Sequence, residues 1–71
     1  MPNLEDFIKE ILTQEELDFL KTINEITDTE QRHIKLRSFF HSEKIFNKIK
    51  PTIDPAWLSY EIFINGKAYE F

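Results

Sequence analysis

The side chains that could bind a metal ion or attack a substrate are few, and their spacing suits neither chemistry. His33 and His41 lie eight residues apart, about two helical turns, with Arg37 midway between them. A shared metal would need a ligand at that midpoint, where the guanidinium would repel a cation. The chain has no Cys and one Gly, which excludes a thiolate metal site and a glycine-rich phosphate loop. Because no Gly-x-Ser-x-Gly motif is present either, we predict a protein without enzymatic activity, metal or cofactor.

Two carboxylates near the C-terminal end could act as a pair. Glu61 and Glu70 lie opposite each other if residues 58–71 form a β-hairpin, and like charges in that position repel. One interpretation is a tolerated exposed pair, which solvent and the nearby Lys67 relieve. The other is a contact for a basic partner. Catalysis by such a pair, as in glycosidases, would need a cleft that 71 residues can hardly enclose.

Charge is distributed unevenly along the chain. Residues 1–30 carry nine acids and two lysines, a net charge of −7. Residues 31–51 carry six cations and one acid, a net charge of +5, with Phe39, Phe40 and Phe46 among the cations. Cations that meet phosphate and aromatics that stack on bases are typical of nucleic-acid binding. The acidic first thirty residues, however, would repel a polyanion.

We interpret this pattern as a small protein-interaction module, an adaptor or an inhibitor, that binds a protein through a charge-polarised, aromatic-rich surface. The candidate contact residues are cations and aromatics of the basic segment and three residues nearer the C-terminus: Arg32, Lys35, Arg37, Phe39, Phe40, Lys44, Phe46, Glu61, Phe63 and Glu70. Two alternatives stay open. One is an acidic nucleic-acid mimic that inhibits a DNA- or RNA-binding protein, and the other is direct nucleic-acid binding through residues 32–50.

Three or four short helices are predicted before Pro51. The first has apolar residues at helical spacing, and the second begins at a capping box formed by Thr13 and Glu16. A second capping box, from Thr27 to Glu30, begins a third helix, which either continues through Ser42 or breaks there. The inward-facing residues of the first two helices are predicted to be Leu4, Phe7, Ile8, Ile11, Leu12, Leu17, Leu20 and Ile23, with Phe19 and Ile26 as further candidates.

Residues 58–71 have the pattern of a two-stranded antiparallel β-hairpin. Asn65-Gly66 suits a type I′ turn, and the residues alternate on both sides of it. The face predicted to pack on the helices consists of Tyr60, Ile62, Ile64, Lys67, Tyr69 and Phe71. Phe63 lies on the other, mostly polar face, and the open strand edges could pair with a partner or with a second copy of the chain. The predicted fold class is therefore α+β.

The length of the chain allows one core, so we predict one small domain. It comprises a helical part (3–50), a connector (51–57) and the hairpin (58–71), and Asp54-Pro55 in the connector can begin a single helical turn. No apolar run approaches the ~20 residues that span a bilayer, and no signal or transit peptide is visible. We expect a cytoplasmic protein without membrane contact.

Overall fold

The computed structural model describes residues 3–71, which form five α-helices and a short 3₁₀ helix. The helices are α1 (Leu4–Ile11), α2 (Gln14–Asn24), α3 (Thr29–His41), α4 (Glu43–Ile49) and α5 (Pro55–Asn65), followed by the 3₁₀ helix Gly66–Ala68. Residues 3–71 contain no β-strand, so the prediction of an α+β fold with a C-terminal β-hairpin is wrong. The described chain is all-helical.

The start signal at Asp54-Pro55 begins a full helix rather than a single turn. The Asp54 carboxylate accepts a hydrogen bond from the Ala56 amide at 3.1 Å, and Pro55 occupies the first helical turn, where it costs no hydrogen bond. The helix then runs for eleven residues, and its buried residues share one face at spacings of three and four that only a helix brings together: Pro55, Leu58, Ser59 and Ile62. Burial of that face outweighs the β propensity of the aromatic and β-branched residues in the segment.

Asn65-Gly66 ends a helix and does not form a hairpin turn. Gly66 has a helical φ of −56° rather than the positive φ of a type I′ turn. Glycine is needed there because of a close neighbour. The Asn24 side-chain amide donates a hydrogen bond to the Gly66 carbonyl at 2.9 Å, and a Cβ on Gly66 would overlap that same amide group.

Side chains cap the starts of α2 and α3, and Ser42 separates α3 from α4. The Thr13 capping box is confirmed, since its hydroxyl accepts from the Glu16 amide at 3.1 Å and Glu16 accepts from the Thr13 amide at 2.8 Å. At α3 the cap is Asp28, not Thr27, and its carboxylate accepts from the Gln31 amide at 2.9 Å. Ser42 is extended and separates α3 from α4, so the third helix breaks there.

The core lies around α3, which packs against α2, α4 and α5. Leu36 and Phe40 of α3 are completely buried, and Phe39 is 8% exposed. These three residues share one side of α3, whereas the other apolar residue of the helix, Ile34, is 50% exposed. The other buried apolar residues come from α1, α2, α4 and α5 and from the link between α1 and α2: Ile8, Leu12, Leu17, Leu20, Ile23, Ile45, Ile49, Leu58 and Ile62. Within residues 3–71, no helix has the combined length and apolarity that crossing a membrane requires.

Hydrogen bonds to two carboxylates hold the C-terminal segment against the helices. The Tyr69 hydroxyl donates to Glu61 on α5 at 2.8 Å, and the Glu70 amide donates to Glu5 on α1 at 2.6 Å. The amide of Glu70 lowers the pKa of Glu5 below its ordinary value, opposed in part by burial and assisted by Lys9. Glu61 and Glu70 are therefore not opposed across a hairpin, and the predicted carboxylate repulsion between them is wrong.

Replacing Gly66 with Ala is expected to destabilise the protein by roughly 1–2 kcal/mol, because the new methyl group displaces the Asn24 hydrogen bond. Urea unfolding monitored by circular dichroism measures the change. The matched control is the same substitution in an Asn24→Ala background. There the cost should vanish or reverse, since Ala is favoured over Gly in a helical conformation. An equal cost in both backgrounds would contradict the explanation.

Tyr69 should make stability fall at alkaline pH. Burial, together with the hydrogen bond to the Glu61 carboxylate, raises the pKa of Tyr69 from 10.0 to about 12. Because the pKa of Tyr69 is higher in the folded state, its contribution to the free energy of unfolding is fully present below pH 10. That contribution is lost as pH rises through about 12. Unfolding free energies at pH 9 and pH 11.5 should show a fall that Tyr69→Phe reduces. The control Tyr60→Phe should keep the full fall, and a fall unchanged by Tyr69→Phe would refute this assignment.

Candidate interaction surface

The most prominent exposed aromatic beside the core is Phe19, on the outer side of α2. Its ring is 59% exposed and stacks on Phe39 of α3, with ring centroids 5.8 Å apart and planes inclined by 16°. Phe39 in turn meets the completely buried Phe40 edge-on at 5.0 Å. A continuous line of rings therefore leads from the core to the surface, with Phe19 at its outer end.

Two adjoining hollows lie on either side of Phe19, with volumes of about 370 and 340 Å³. Both are lined by Phe19, Phe39 and Ser42. We call the two hollows together the Phe19 groove, and its remaining lining residues are Thr13, Glu15, Glu16, Ile23, Lys35, Ser38, Lys44 and Ile45. The groove combines an aromatic centre with a polar, mixed-charge rim, and α2, α3 and the start of α4 position it.

Two lysines on the rim of the Phe19 groove are available for a partner. Lys35 lines one hollow and Lys44 the other, and both side chains belong to exposed residues. Neither forms an ion pair with a carboxylate of residues 3–71. Glu15, also on the rim, is exposed and equally unpaired within that range. The unpaired rim charges are therefore two positive and one negative.

An ion pair between Glu16 and Lys48 fixes α4 against the start of α2, at one wall of the groove. The Lys48 Nζ lies 2.7 Å from Glu16 Oε1, and the side chains are only 27% and 14% exposed. Partial burial acts to raise the pKa of Glu16, but the hydrogen bonds from Lys48 and the Thr13 amide, with the charge of Lys48, hold it below 4.5. The acidic and basic segments thus meet directly within the fold.

The remaining cations of the basic segment do not form one patch. Arg32 donates to the Ile26 carbonyl at 3.1 Å and lies over the Phe63 ring, 5.2 Å from its centroid. Lys35 and Arg37 are two residues apart on α3, which places them roughly 200° apart around the helix axis. Lys48 is paired with Glu16 on α2. The cations that are close together in sequence therefore do not form one free cationic surface.

The aromatic candidates are likewise divided between core and surface. Phe40 is completely buried, so it supports the groove without reaching the surface. Phe63 is half-buried and stacks on His33 at 4.4 Å, so its predicted position on the outer face of a sheet is wrong. Phe46 lies beside His41 at 5.8 Å and beneath the Lys50 ammonium at 5.4 Å. Among residues 3–71, no cluster of three His, Asp or Glu side chains is placed to hold a metal ion.

Sequence reasoning missed two exposed features. Phe19 was a further candidate for the inward face of its helix, although it is two residues from Leu17 and therefore roughly 200° away from it on α2. On α5, three large apolar side chains are at least half exposed: Trp57 (50%), Tyr60 (58%) and Ile64 (55%). The predicted hairpin instead placed Tyr60 and Ile64 on the face that packs on the helices. Their spacing of three and four residues is the helical signal that would have placed them on one outer stripe.

Comparison of the chain with protein-family models, with curated proteins and with solved structures finds no match.

Replacing Lys48 with Met should cost roughly 1–2 kcal/mol of unfolding free energy at pH 7, because it leaves the half-buried Glu16 carboxylate without its cation. Because the pKa of Glu16 is lowered in the folded state, the pair stabilises the fold at pH values above the ordinary Glu pKa of 4.5. This stability is lost as pH falls through the folded-state pKa of Glu16. The difference between wild type and variant in denaturant titrations should therefore shrink as pH falls below 4.5.

The matched control for this pair is Lys21→Met. Lys21 lies 4.0 Å from Asp18, and both side chains are largely exposed, so its removal should cost at most about 0.5 kcal/mol. A Lys48 variant that costs no more than the control, or whose cost persists undiminished at pH 3, would show that the Glu16–Lys48 pair contributes little.

Proposed function

We propose that this protein is a small non-enzymatic interaction module, and that its Phe19 groove binds an acidic segment of a partner protein that carries an aromatic or aliphatic anchor. The observation that carries the proposal is the exposed Phe19 ring, held in place by Phe39 and bordered by Lys35 and Lys44. An adaptor or an inhibitor would both use such a surface.

The shape of the groove favours a side-chain anchor from a protein. Each hollow is within the lower part of the ~300–1,000 Å³ range that binding pockets occupy, but both are open and shallow. Interfaces between proteins draw most of their affinity from a few aromatic residues in well-packed surroundings. Phe19 has that character because its ring stacks on Phe39 while 59% of its surface remains free for a partner.

The rim charges determine which partner fits. Lys35 and Lys44 have no carboxylate partner within residues 3–71, so acidic side chains of a bound segment would supply one to each. Such exposed pairs add little affinity each, about 0–1 kcal/mol, but they select an acidic segment over a basic one and speed association. Glu15 on the same rim disfavours a segment with acids along its whole length.

The nucleic-acid alternatives have less support from the side-chain arrangement. Direct binding through residues 32–50 needs several cations on one face, whereas Arg32 and Lys48 are engaged within the fold. Mimicry needs an array of free carboxylates on the acidic helices; Glu16 is removed from such an array by Lys48, while Glu15 beside it stays exposed and unpaired within residues 3–71. A protein partner at the Phe19 groove requires neither arrangement.

Selection from a random peptide library displayed on phage, against the immobilised protein in 50 mM salt, tests the proposal. The selected peptides are expected to combine Asp or Glu with Phe, Trp or Leu. Synthetic copies of these peptides should bind the Phe19→Ala variant at least ten-fold more weakly in calorimetric titrations, which is the loss of an aromatic hot spot.

Charge reversal provides the second arm of this experiment. The double variant Lys35→Glu with Lys44→Glu should weaken the same peptides and flatten the dependence of affinity on salt. The control Lys9→Glu with Lys67→Glu makes an equal change in net charge at positions that do not line the groove, and it should leave the affinity within about two-fold. Selected peptides that bind wild type and Phe19→Ala equally well would refute the proposed site.

A further inference from the structure

Two further hollows lie where the end of α2, the start of α3 and the end of α5 meet, with volumes of about 380 and 260 Å³. Both are lined by Asn24, Arg32 and Lys67. We call the two hollows together the Arg32 cleft, and its remaining lining residues are Glu25, Ile26, Thr27, Phe63, Ile64 and Gly66. The Arg32 cleft shares no lining residue with the Phe19 groove.

The guanidinium of Arg32 keeps most of its hydrogen-bond donors free in this cleft. Its Nη1 donates to the Ile26 carbonyl at 3.1 Å, and its Cζ lies 5.2 Å from the centroid of the Phe63 ring. A guanidinium has five N–H donors, and within residues 3–71 the Ile26 carbonyl is the one acceptor of the Arg32 side chain. No carboxylate of that range forms an ion pair with it. The half-buried Arg32 can therefore bind an acceptor that enters the cleft.

Lys67 is the second cation of the Arg32 cleft. It is exposed and forms no ion pair with a carboxylate of residues 3–71. Because Lys67 and Arg32 line the same two hollows, their positive charges repel each other, and an anion between them would be attracted by both. The smaller hollow is lined by no acidic residue, so its formal charge is positive although the whole chain carries −4.

We propose that the Arg32 cleft binds a small molecule that carries one phosphate monoester and neighbouring hydroxyl groups, with the phosphate in the smaller hollow between Arg32 and Lys67. This site is separate from the proposed function of the Phe19 groove and does not depend on it.

The two cations favour a phosphate monoester over a carboxylate. A phosphate monoester carries a charge of about −1.5 to −2 at pH 7, which balances Arg32 and Lys67 together, whereas a carboxylate balances only one of them. The planar fork of a guanidinium can donate two parallel hydrogen bonds to phosphate oxygens, and a lysine ammonium acts as a point charge on a third. The Asn24 amide spends one N–H on the Gly66 carbonyl and has a second one for the ligand.

The larger hollow fits hydroxyl groups and disfavours a second phosphate. Glu25 and Thr27 line it, and both are exposed. The Glu25 carboxylate can accept hydrogen bonds from hydroxyl groups, but it would repel another anion. The two hollows together fall within the ~300–1,000 Å³ that small-molecule sites occupy. The cleft is therefore better suited to a small singly phosphorylated ligand than to a nucleic acid.

Nuclear magnetic resonance of the full chain labelled with ¹⁵N tests the proposal. Gly66 is the only glycine in the chain and lines the smaller hollow, so its backbone amide is an unambiguous reporter. Glycerol 3-phosphate, added at pH 7.5 and constant ionic strength, should shift that signal with a dissociation constant of roughly 1 mM, as a few charge-assisted hydrogen bonds would give. A signal that does not saturate by 20 mM, or that sodium chloride shifts equally, would overturn the proposal.

Three other probes identify the chemistry that is recognised. Acetate should bind at least about ten-fold more weakly than glycerol 3-phosphate, because it balances only one cation. Inorganic phosphate should bind about three-fold more weakly, because it has no hydroxylated carbon chain to contact Glu25 or Thr27. Equal binding of acetate would refute a phosphate site, and equal binding of inorganic phosphate would refute the role of the larger hollow. A phosphoserine peptide that binds more tightly than glycerol 3-phosphate would indicate a protein ligand and overturn the small-molecule assignment.

Substitution of the exposed lysine provides the matched test of position. Lys67→Met should weaken the binding of glycerol 3-phosphate at least about five-fold. Lys35→Met is the control, because it removes the same charge from an exposed lysine that does not line the Arg32 cleft, and its affinity should stay within about two-fold of wild type. Equal affinities of the two variants would show attraction by net charge alone and overturn the site.

Arg32→Gln should abolish saturable binding, since it removes the guanidinium fork. This substitution also alters the contact with the Ile26 carbonyl, so circular dichroism is used to check that the variant is folded. Saturable binding to a folded Arg32→Gln variant with wild-type affinity would overturn the proposal. If the variant does not fold, the comparison of Lys67→Met with Lys35→Met decides the assignment.

Discussion

The packing of α5 along α3 is the contact on which the rest of the molecule depends. Leu36 and Phe40 of α3 and Leu58 and Ile62 of α5 are all completely buried in one core. The helices have 7 to 13 residues, and helices shorter than about 12–15 residues are marginal in isolation. Because no disulfide or metal supports residues 3–71, this apolar contact is what makes each helix stable enough to form.

The sequence was most informative where a boundary depends on neighbouring residues. The Thr13 capping box and the Asp54-Pro55 start both have the predicted local geometry. The C-terminal segment failed because its pattern fits two periods. Leu58 and Ile62 share a face in a strand and in a helix alike, so their burial distinguishes neither. Tyr60 and Ile64 are the residues that separate the two cases, because a strand places them on the face of Leu58 and Ile62, whereas the helix places them on the exposed side with Trp57.

The candidate surface was predictable only in part, for a related reason. Lys35, Phe39 and Lys44 were identified from the mixture of cations and aromatics, and all three line the Phe19 groove. Phe39 and Phe40 are adjacent in sequence and so roughly 100° apart on α3, which sends one towards the groove and the other into the core. The stack of Phe19 on Phe39 joins residues twenty positions apart on different helices, a pairing that local spacing does not encode.

The charge balance of the chain has different consequences at long and short range. The net charge of −4 would repel the proposed acidic partner at a distance, whereas the unpaired Lys35 and Lys44 would attract it at the groove. At 0.15 M ionic strength charges separated by more than about 8 Å are largely screened from each other. The overall repulsion is therefore weakened more than the attraction between groups in contact. Binding at the groove should accordingly depend on the two rim lysines, while the acidic helices mainly influence how often the partners meet.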